Sequence, residues 1–225
     1  MIPGKGSVNS FVWHCFLFLV TYSCGRQPDS VATKPGKYNH TALRLEHYHA
    51  NVYPEFVSKA KSGQIITRMG KDITSILMSK LNPNDSSFSH CGLVNIESDS
   101  VFVYHCIGGE WNPGQKMKRE WLFHFINPAH SKRAGLFEWE MEEGLKNVLI
   151  YRVISWYQSE LMFDMDFDLQ TNDRMYCTEM LAKAWQFATG NKDSITPVTS
   201  DNITFLPVDR IFLKKGTKEL LRMEY

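Results

Sequence analysis

Three residues of this chain have the types and the setting for nucleophilic chemistry: Cys177, His90 and His105. Cys177 stands in "NDRMYCTEMLAKAW", where a polar loop turns into a run with helical apolar spacing. Met180, Leu181, Ala184, Trp185 and Ala188 would pack one face of that helix onto a sheet. Cys177 then falls in the first turn, after a cap such as Asp173. Helix N-terminal amides and the helix dipole lower a thiol pKa, and an adjacent imidazolium lowers it further. A cysteine there, facing a histidine, meets the requirement for an ion-paired nucleophile. First-turn amides lack helical acceptors, so the Cys177 N–H is also a ready oxyanion donor. The competing role is that of most free cysteines, a small buried hydrophobe.

The histidines fall in "SHCGLVNI" and "SVFVYHCIG", two strand-like runs separated by little more than "ESDS". So short a separation, with turn-forming residues, predicts an antiparallel hairpin closing around Glu97 to Ser100. Side chains alternate across a strand, so His90 and His105 can share one face, within cross-strand reach. Cys91 and Cys106 then share the other face. The alternative for the histidines is a partly buried, hydrogen-bonded core role.

The elements that must position these groups follow from pattern. "TALRLEHYHANVYPEFVSKAKSG" predicts a short helix ended by Gly63, and "GQIITRMG" a strand bounded by glycines. "DITSILMSKLNP" predicts a helix capped by Asp72 and stopped by Pro83. "EWLFHFINPAHS" reads as a short helix or loop, and a further strand is predicted at about Val148 to Val153. "YCTEMLAKAWQFATG" is a helix ending at Gly190, and "ITPVTSDNITFLPVDRIFLKKG" a loop with one last short element. With no internal repeat, the reading is α+β: one antiparallel sheet with helices packed on it.

A chain of 225 residues, 43% hydrophobic and 22% charged, is ordinary for a globular domain with a full core. A formal net charge of +1 gives no footprint for nucleic acid. The first 24 residues differ. Lys5 precedes "FVWHCFLFLV" and then "TYSCG", an apolar run too short to span a bilayer but suited to a secretory signal. Ser23-Cys24 looks like a lipoprotein cleavage site, with Cys24 as the lipidated residue; a buried N-terminal strand is the alternative. Residues 25–40 are polar with two prolines and read as a tether to a single domain over 41–225. Of the five cysteines (15, 24, 91, 106 and 177), three would then remain, so one thiol stays free or pairs between molecules.

In this order, "SGQIITRMG", "SFSHCGLV", "VYHCIGG" and "FDMDFDLQTNDRMYCTEMLAKAW" resemble successive motifs of the YaeF/YiiX-type permuted papain-like enzymes. These are circularly permuted relatives of NlpC-type peptidases, similar in layout to lecithin:retinol acyltransferases. The resemblance runs from Ser62 to about Phe212. It implies a circularly permuted papain-like fold, with Cys177 as nucleophile and His90 as general base. His105 takes the third position, where some YiiX-like members carry a glutamate; it would orient His90 or tune its charge. The implied activity is a cysteine-dependent hydrolase, amidase- or peptidase-like, cleaving an amide or ester through a thioester. Its substrate would be a cell-envelope peptide or lipid, met in the envelope or periplasm by an exported, lipid-anchored protein. No cofactor and no metal is implied.

Other readings compete. A protein that only binds lipid or peptide in the same groove, and a lipid acyltransferase or thioesterase, share the fold. His90, His105 and Cys177 could ligate zinc with one open position. Asp164, Asp166 and Asp168 alternate like one strand face, but lack the glycine and terminal glutamate of a calcium loop, so turn capping is the stronger reading. Cys91 and Cys106 could pair in a disulfide or serve as two buried hydrophobes. Trp111, Trp121, Phe123 and Phe125 could line a groove, though aromatics so placed are more often core.

Overall fold

The computed structural model describes residues 45–109, 112–200 and 203–225, all within one compact unit of the chain. The signal and tether predicted for 1–40, Cys24 and Trp111 lie outside the described residues. Six antiparallel strands form one sheet in the order β4-β3-β2-β1-β5-β8. These are β1 (Ile65–Gly70), β2 (His90–Glu97), β3 (Ser100–His105), β4 (Lys118–Trp121), β5 (Ser131–Trp139) and β8 (Thr217–Glu224). A separate hairpin pairs β6 (Val198–Ser200) with β7 (Ile203–Phe205). The helices are α1 (Tyr53–Lys59), entered through a π-helical turn, α2 (Ile73–Lys80), α3 (Leu122–Phe125), α4 (Glu143–Gln158), α5 (Cys177–Ala188) and α6 (Asp209–Phe212). Among the described residues no helix is long and apolar enough to cross a membrane.

Alternation along the strands divides the interior in two. Ile65, Cys91, Leu93, Tyr104, Phe137 and Trp139 point to one face, against Leu149 and Val153 of α4 and Met180, Leu181 and Trp185 of α5. Ile66, Val94, Val103, Ala134 and Leu136 point to the other, against Phe56 of α1 and Leu122 and Phe125 of α3. Helices therefore cover both faces of the sheet, and each fully buried aliphatic side chain contributes about 1.5–3 kcal/mol. This is the α+β arrangement expected, an antiparallel sheet with packed helices.

Several local predictions are met for the stated reasons. The hairpin closes with Glu97 opposite Ser100, and Ser98 and Asp99 both take positive φ, as a two-residue turn demands. Asp72 caps α2 by accepting from Ser75 N–H at 2.8 Å. Others are corrected. The segment expected as a strand from Val148 is the middle of α4, because Leu149, Val153 and Trp156 recur at helical spacing against the core. The missing strand lies earlier, as β5, and β8 completes the sheet. Asp173 is not the cap of α5; Tyr176 holds that position.

One buried carboxylate ties loop to helix. Asp209, fully buried at the start of α6, accepts from Asn84 N–H at 2.8 Å and Asn84 Nδ2 at 3.1 Å, while its own N–H donates to Asn82 Oδ1 at 3.3 Å. Removing a buried acceptor strands those donors, so Asp209→Ala should lower the free energy of unfolding by about 1–3 kcal/mol. Urea unfolding at neutral pH measures this; an unchanged midpoint would show that water replaces the carboxylate without loss.

Candidate active site

The N-terminus of α5 is held by contacts that fix Cys177 at its first helical position. Glu179 reaches back to accept from Tyr176 N–H at 3.2 Å and pairs with Lys183 at 2.8 Å. Burial lifts the Glu179 carboxyl to about 7 although Lys183 pulls the other way. Tyr176 Oη accepts from Leu206 N–H at 2.9 Å, and Thr178 Oγ1 donates to Leu206 O at 2.6 Å. The chain entering the helix is pinned as well. Asp164, fully buried, accepts from Asp166 N–H at 2.9 Å and Asp168 N–H at 2.6 Å, so the aspartate run is a turn around one capping carboxylate and not a strand.

His90 opens β2 and His105 closes β3, and both lie over Phe125 with ring centroids 5.7 and 5.1 Å away. His90 Nε2 is 2.8 Å from His105 Nδ1. The predicted shared face is therefore occupied by a direct imidazole–imidazole hydrogen bond. Gly92, between His90 and Val94 on that face, makes room for it: a Cβ there would stand 3.1 Å from His105 Cβ and 2.6 Å from Val103 Cγ1. The glycine of "SHCG" is thus part of the site.

A third group completes the string. Glu120, on edge strand β4 directly opposite Val103, brings Oε1 to 2.8 Å from His105 Nε2. The angle of this contact is poor for a hydrogen bond, yet the distance makes the carboxylate the natural acceptor for that nitrogen. Burial alone would raise Glu120, but the contact with the His105 ring, with the charges of Arg68 and Lys118, outweighs it and holds the carboxyl at about 2. Burial drives His105 down to about 3, against the pull of Glu120. His105 is therefore a neutral imidazole at physiological pH.

Arg68, paired across β1 and β2 with His90, lies on the same face. Its guanidinium sits 4.7 Å above the Phe125 ring and donates to Phe125 O at 2.9 Å. Burial lowers this arginine, and the neighbouring Glu120 carboxylate opposes that.

Cys177 is partly buried, whereas Cys91 and Cys106 are fully buried, and all three are free thiols. No disulfide joins Cys91 to Cys106; they are two small buried hydrophobes, the stronger of the two readings. Cys177 lies against the cluster that contains them, on the α5 side, while the histidines lie on the α3 side. The expected face-to-face meeting of thiol and histidine is thus replaced by a meeting at the rim of the sheet, where β2 begins. Cys177 is held well below an ordinary thiol, first by a hydrogen bond from the Cys91 thiol and then by the charge and hydrogen bond of His90, against the opposing effect of burial. Cys91 moves the other way, raised by burial and by its neighbour.

Pattern reading did not find Glu120, Arg68 or the Cys91 contact. The available signal for Glu120 was the two-residue step in "KREW" that puts Lys118 and Glu120 on the histidine face once β4 is recognised. Of the four aromatics, Phe125 is the floor of the histidine pair, Phe123 packs against Tyr48 and Trp121 is exposed.

His90 and His105, as placed, do not suit a shared zinc ion. Two imidazole nitrogens on one zinc lie about 3.3 Å apart at tetrahedral geometry, with both lone pairs aimed at the metal. Here the nitrogens face each other at 2.8 Å and share a proton instead. Among the described residues no group of three His, Cys, Asp or Glu side chains is arranged to hold an ion.

No protein-family model matches the sequence, and no curated protein matches it. Among solved structures, the chain is similar to the metalloprotein yiiX from Escherichia coli O157:H7 (DUF1105), with a TM-score of 0.59 at 16% identity. The match covers 74% of this chain and 99% of that one, so the two share a fold over nearly the whole of the smaller protein.

Proposed function

We propose that this protein is a cysteine-dependent hydrolase of amide or ester bonds, with Cys177 as nucleophile and His90 as its base. The observation that carries the reading is a cysteine, partly buried, at the first position of a helix, beside a histidine that is itself hydrogen-bonded to a second histidine, with its thiol held well below the ordinary value. Such depressed thiols mark reactive cysteines, whereas buried structural ones shift upward, as Cys91 and Cys106 do.

In the mechanism, His90 takes the Cys177 proton and the thiolate adds to the substrate carbonyl. The Cys177 N–H, at the first position of α5, donates to the developing oxyanion. His90 passes its proton to the departing amine or alcohol, leaving a thioester. Water then gives a proton to His90 and attacks the thioester, which releases the acid and restores the thiol. His105 is the orienting residue, since its Nδ1 stands 2.8 Å from His90 Nε2.

The permuted papain-like layout of the motifs and the apolar N-terminal run support an exported enzyme, lipidated at Cys24, acting on envelope peptide or lipid substrates. Labelling with a set of acyl-type electrophilic probes tests the reading. Wild type should be modified at Cys177 and Cys177→Ala should not. Equal labelling of both would remove Cys177 as nucleophile, and no labelling of a folded wild type would favour a binding protein.

A further inference from the structure

We infer that Glu120 is a positioning residue that sets the direction of the protons along the string His90–His105–Glu120, and thereby selects His90 Nδ1 as the atom that receives the Cys177 proton. The inference rests on the role proposed for Cys177. It concerns a residue on an edge strand that no motif of the sequence contains.

The argument is one of donor and acceptor counting. A neutral imidazole has one N–H and one lone pair, so a chain of two imidazoles can point its protons in either of two directions. An ionised carboxylate can only accept. With Glu120 Oε1 2.8 Å from His105 Nε2, the His105 proton belongs on Nε2. Its Nδ1 then presents a lone pair to His90 Nε2 at 2.8 Å, and the proton of that contact belongs to His90. What remains bare on His90 is Nδ1, the nitrogen outside both contacts. The reverse polarity, with a proton on His105 Nδ1, would place the His90 proton on Nδ1 and leave no base for the thiol.

The groups around the string favour the same direction. Arg68 from β1 and Lys118 from β4 hold Glu120 ionised, and burial with the charges of His90 and Arg68 keeps His105 neutral. When His90 carries the thiol proton it becomes a double donor, Nδ1–H to sulfur and Nε2–H to His105. The polarity set by Glu120 is the one that accommodates this imidazolium. Cys91, beside the thiol, acts on sulfur and not on the string.

The test is nitrogen-15 NMR of the histidine rings in the full chain, in wild type and in Cys177→Ala, where His90 has no thiol proton to take up. In Cys177→Ala the expected spectra show both neutral rings protonated on Nε2; in wild type His105 keeps that tautomer while His90 also carries the thiol proton on Nδ1. In Glu120→Gln, whose amide can donate as well as accept, part of the His105 proton should move to Nδ1. Alkylation of Cys177 at neutral pH should then fall about tenfold, and Glu120→Asp should retain most of the rate. A Glu120 that merely supported the fold would lower the melting temperature without moving a tautomer. The inference is overturned if wild-type His105 is protonated on Nδ1, or if Glu120→Gln leaves tautomers or alkylation unchanged. An unreactive Cys177 in wild type would instead defeat the proposed function, because the ring spectra of Cys177→Ala are read without any activity.

Discussion

Replacing His90 with alanine should slow alkylation of Cys177 about 100-fold at neutral pH. A thiol at the ordinary value of 9.0 is about 1% thiolate at pH 7, and the thiolate is the species that reacts. Wild-type Cys177 lies well below that value, so most of its advantage is the thiolate population that neighbouring groups maintain. Two such groups are present, and they are not equivalent. Cys91 donates a hydrogen bond to the sulfur, but a neutral thiol is a weak donor contributing about 0.5–1 kcal/mol, or about two- to fivefold. The His90 imidazolium contributes a full charge next to sulfur. Cys91→Ala should therefore slow alkylation no more than about fivefold, in contrast to His90→Ala. General acid–base participation is worth a further 10²–10⁴-fold in turnover, so hydrolysis should suffer more than alkylation. If Cys91→Ala proves the more damaging change, the thiol pair and not the histidine activates Cys177.

Acid should remove the stability that a neutral, buried His105 contributes well before ordinary carboxylates titrate. His105 has an ordinary pKa of 6.5 in the unfolded chain and about 3 in the folded one, lowered mainly by burial. Between those values the unfolded state binds a proton that the folded state does not, so stability rises with pH and is lost as pH falls. At full extent the effect is on the order of 4 kcal/mol. Glu120 adds to it lower down: its folded pKa of about 2 lies below the ordinary 4.5, so its contribution is complete above 4.5 and is lost toward 2. Glu179, lifted to about 7, works the other way between 7 and 4.5, where its folded state holds a proton that the unfolded state has lost, so the His105 contribution is read against a variant. Urea unfolding at pH 7.5, 6, 5 and 4 should show wild type losing stability relative to His105→Asn, which removes the titrating ring, from near 6.5 downward. A difference between the two proteins that stays constant from pH 7 to 4.5 would mean that His105 is charged in the folded protein.

How much of this was readable beforehand depended on how local the information was. The β2–β3 hairpin and the shared face of His90 and His105 follow from strand alternation and a two-residue turn, both written in about 16 consecutive residues. The α5 boundary was likewise local, although its cap is Tyr176 and not Asp173, because Glu179 and Leu206 supply the partners that a short polar cap would otherwise provide. The segment "NVLIYRVI" misled because its β-branched residues favour a strand, while burial of Leu149, Val153 and Trp156 against α5 and the sheet decides for a helix. β5 and β8 escaped notice because their pairing is with strands far away in sequence. Glu120 is the clearest case. Nothing in "KREW" marks it until β4 is laid beside β3, and only then does its carboxylate fall against His105. That Cys177 meets His90 at the rim of the sheet, from the α5 side, is a property of helix packing that spacing does not encode.

The most direct measurement is the rate of alkylation of Cys91, Cys106 and Cys177 in the folded full chain, followed across pH 5 to 10 and resolved by mass spectrometry. The expected result is that Cys177 reacts with an apparent pKa well below 9.0, while Cys91 and Cys106, buried and shifted upward, stay unmodified. A Cys177 that titrates at or above 9.0, or that is as unreactive as the other two, would contradict a thiolate nucleophile at the start of α5.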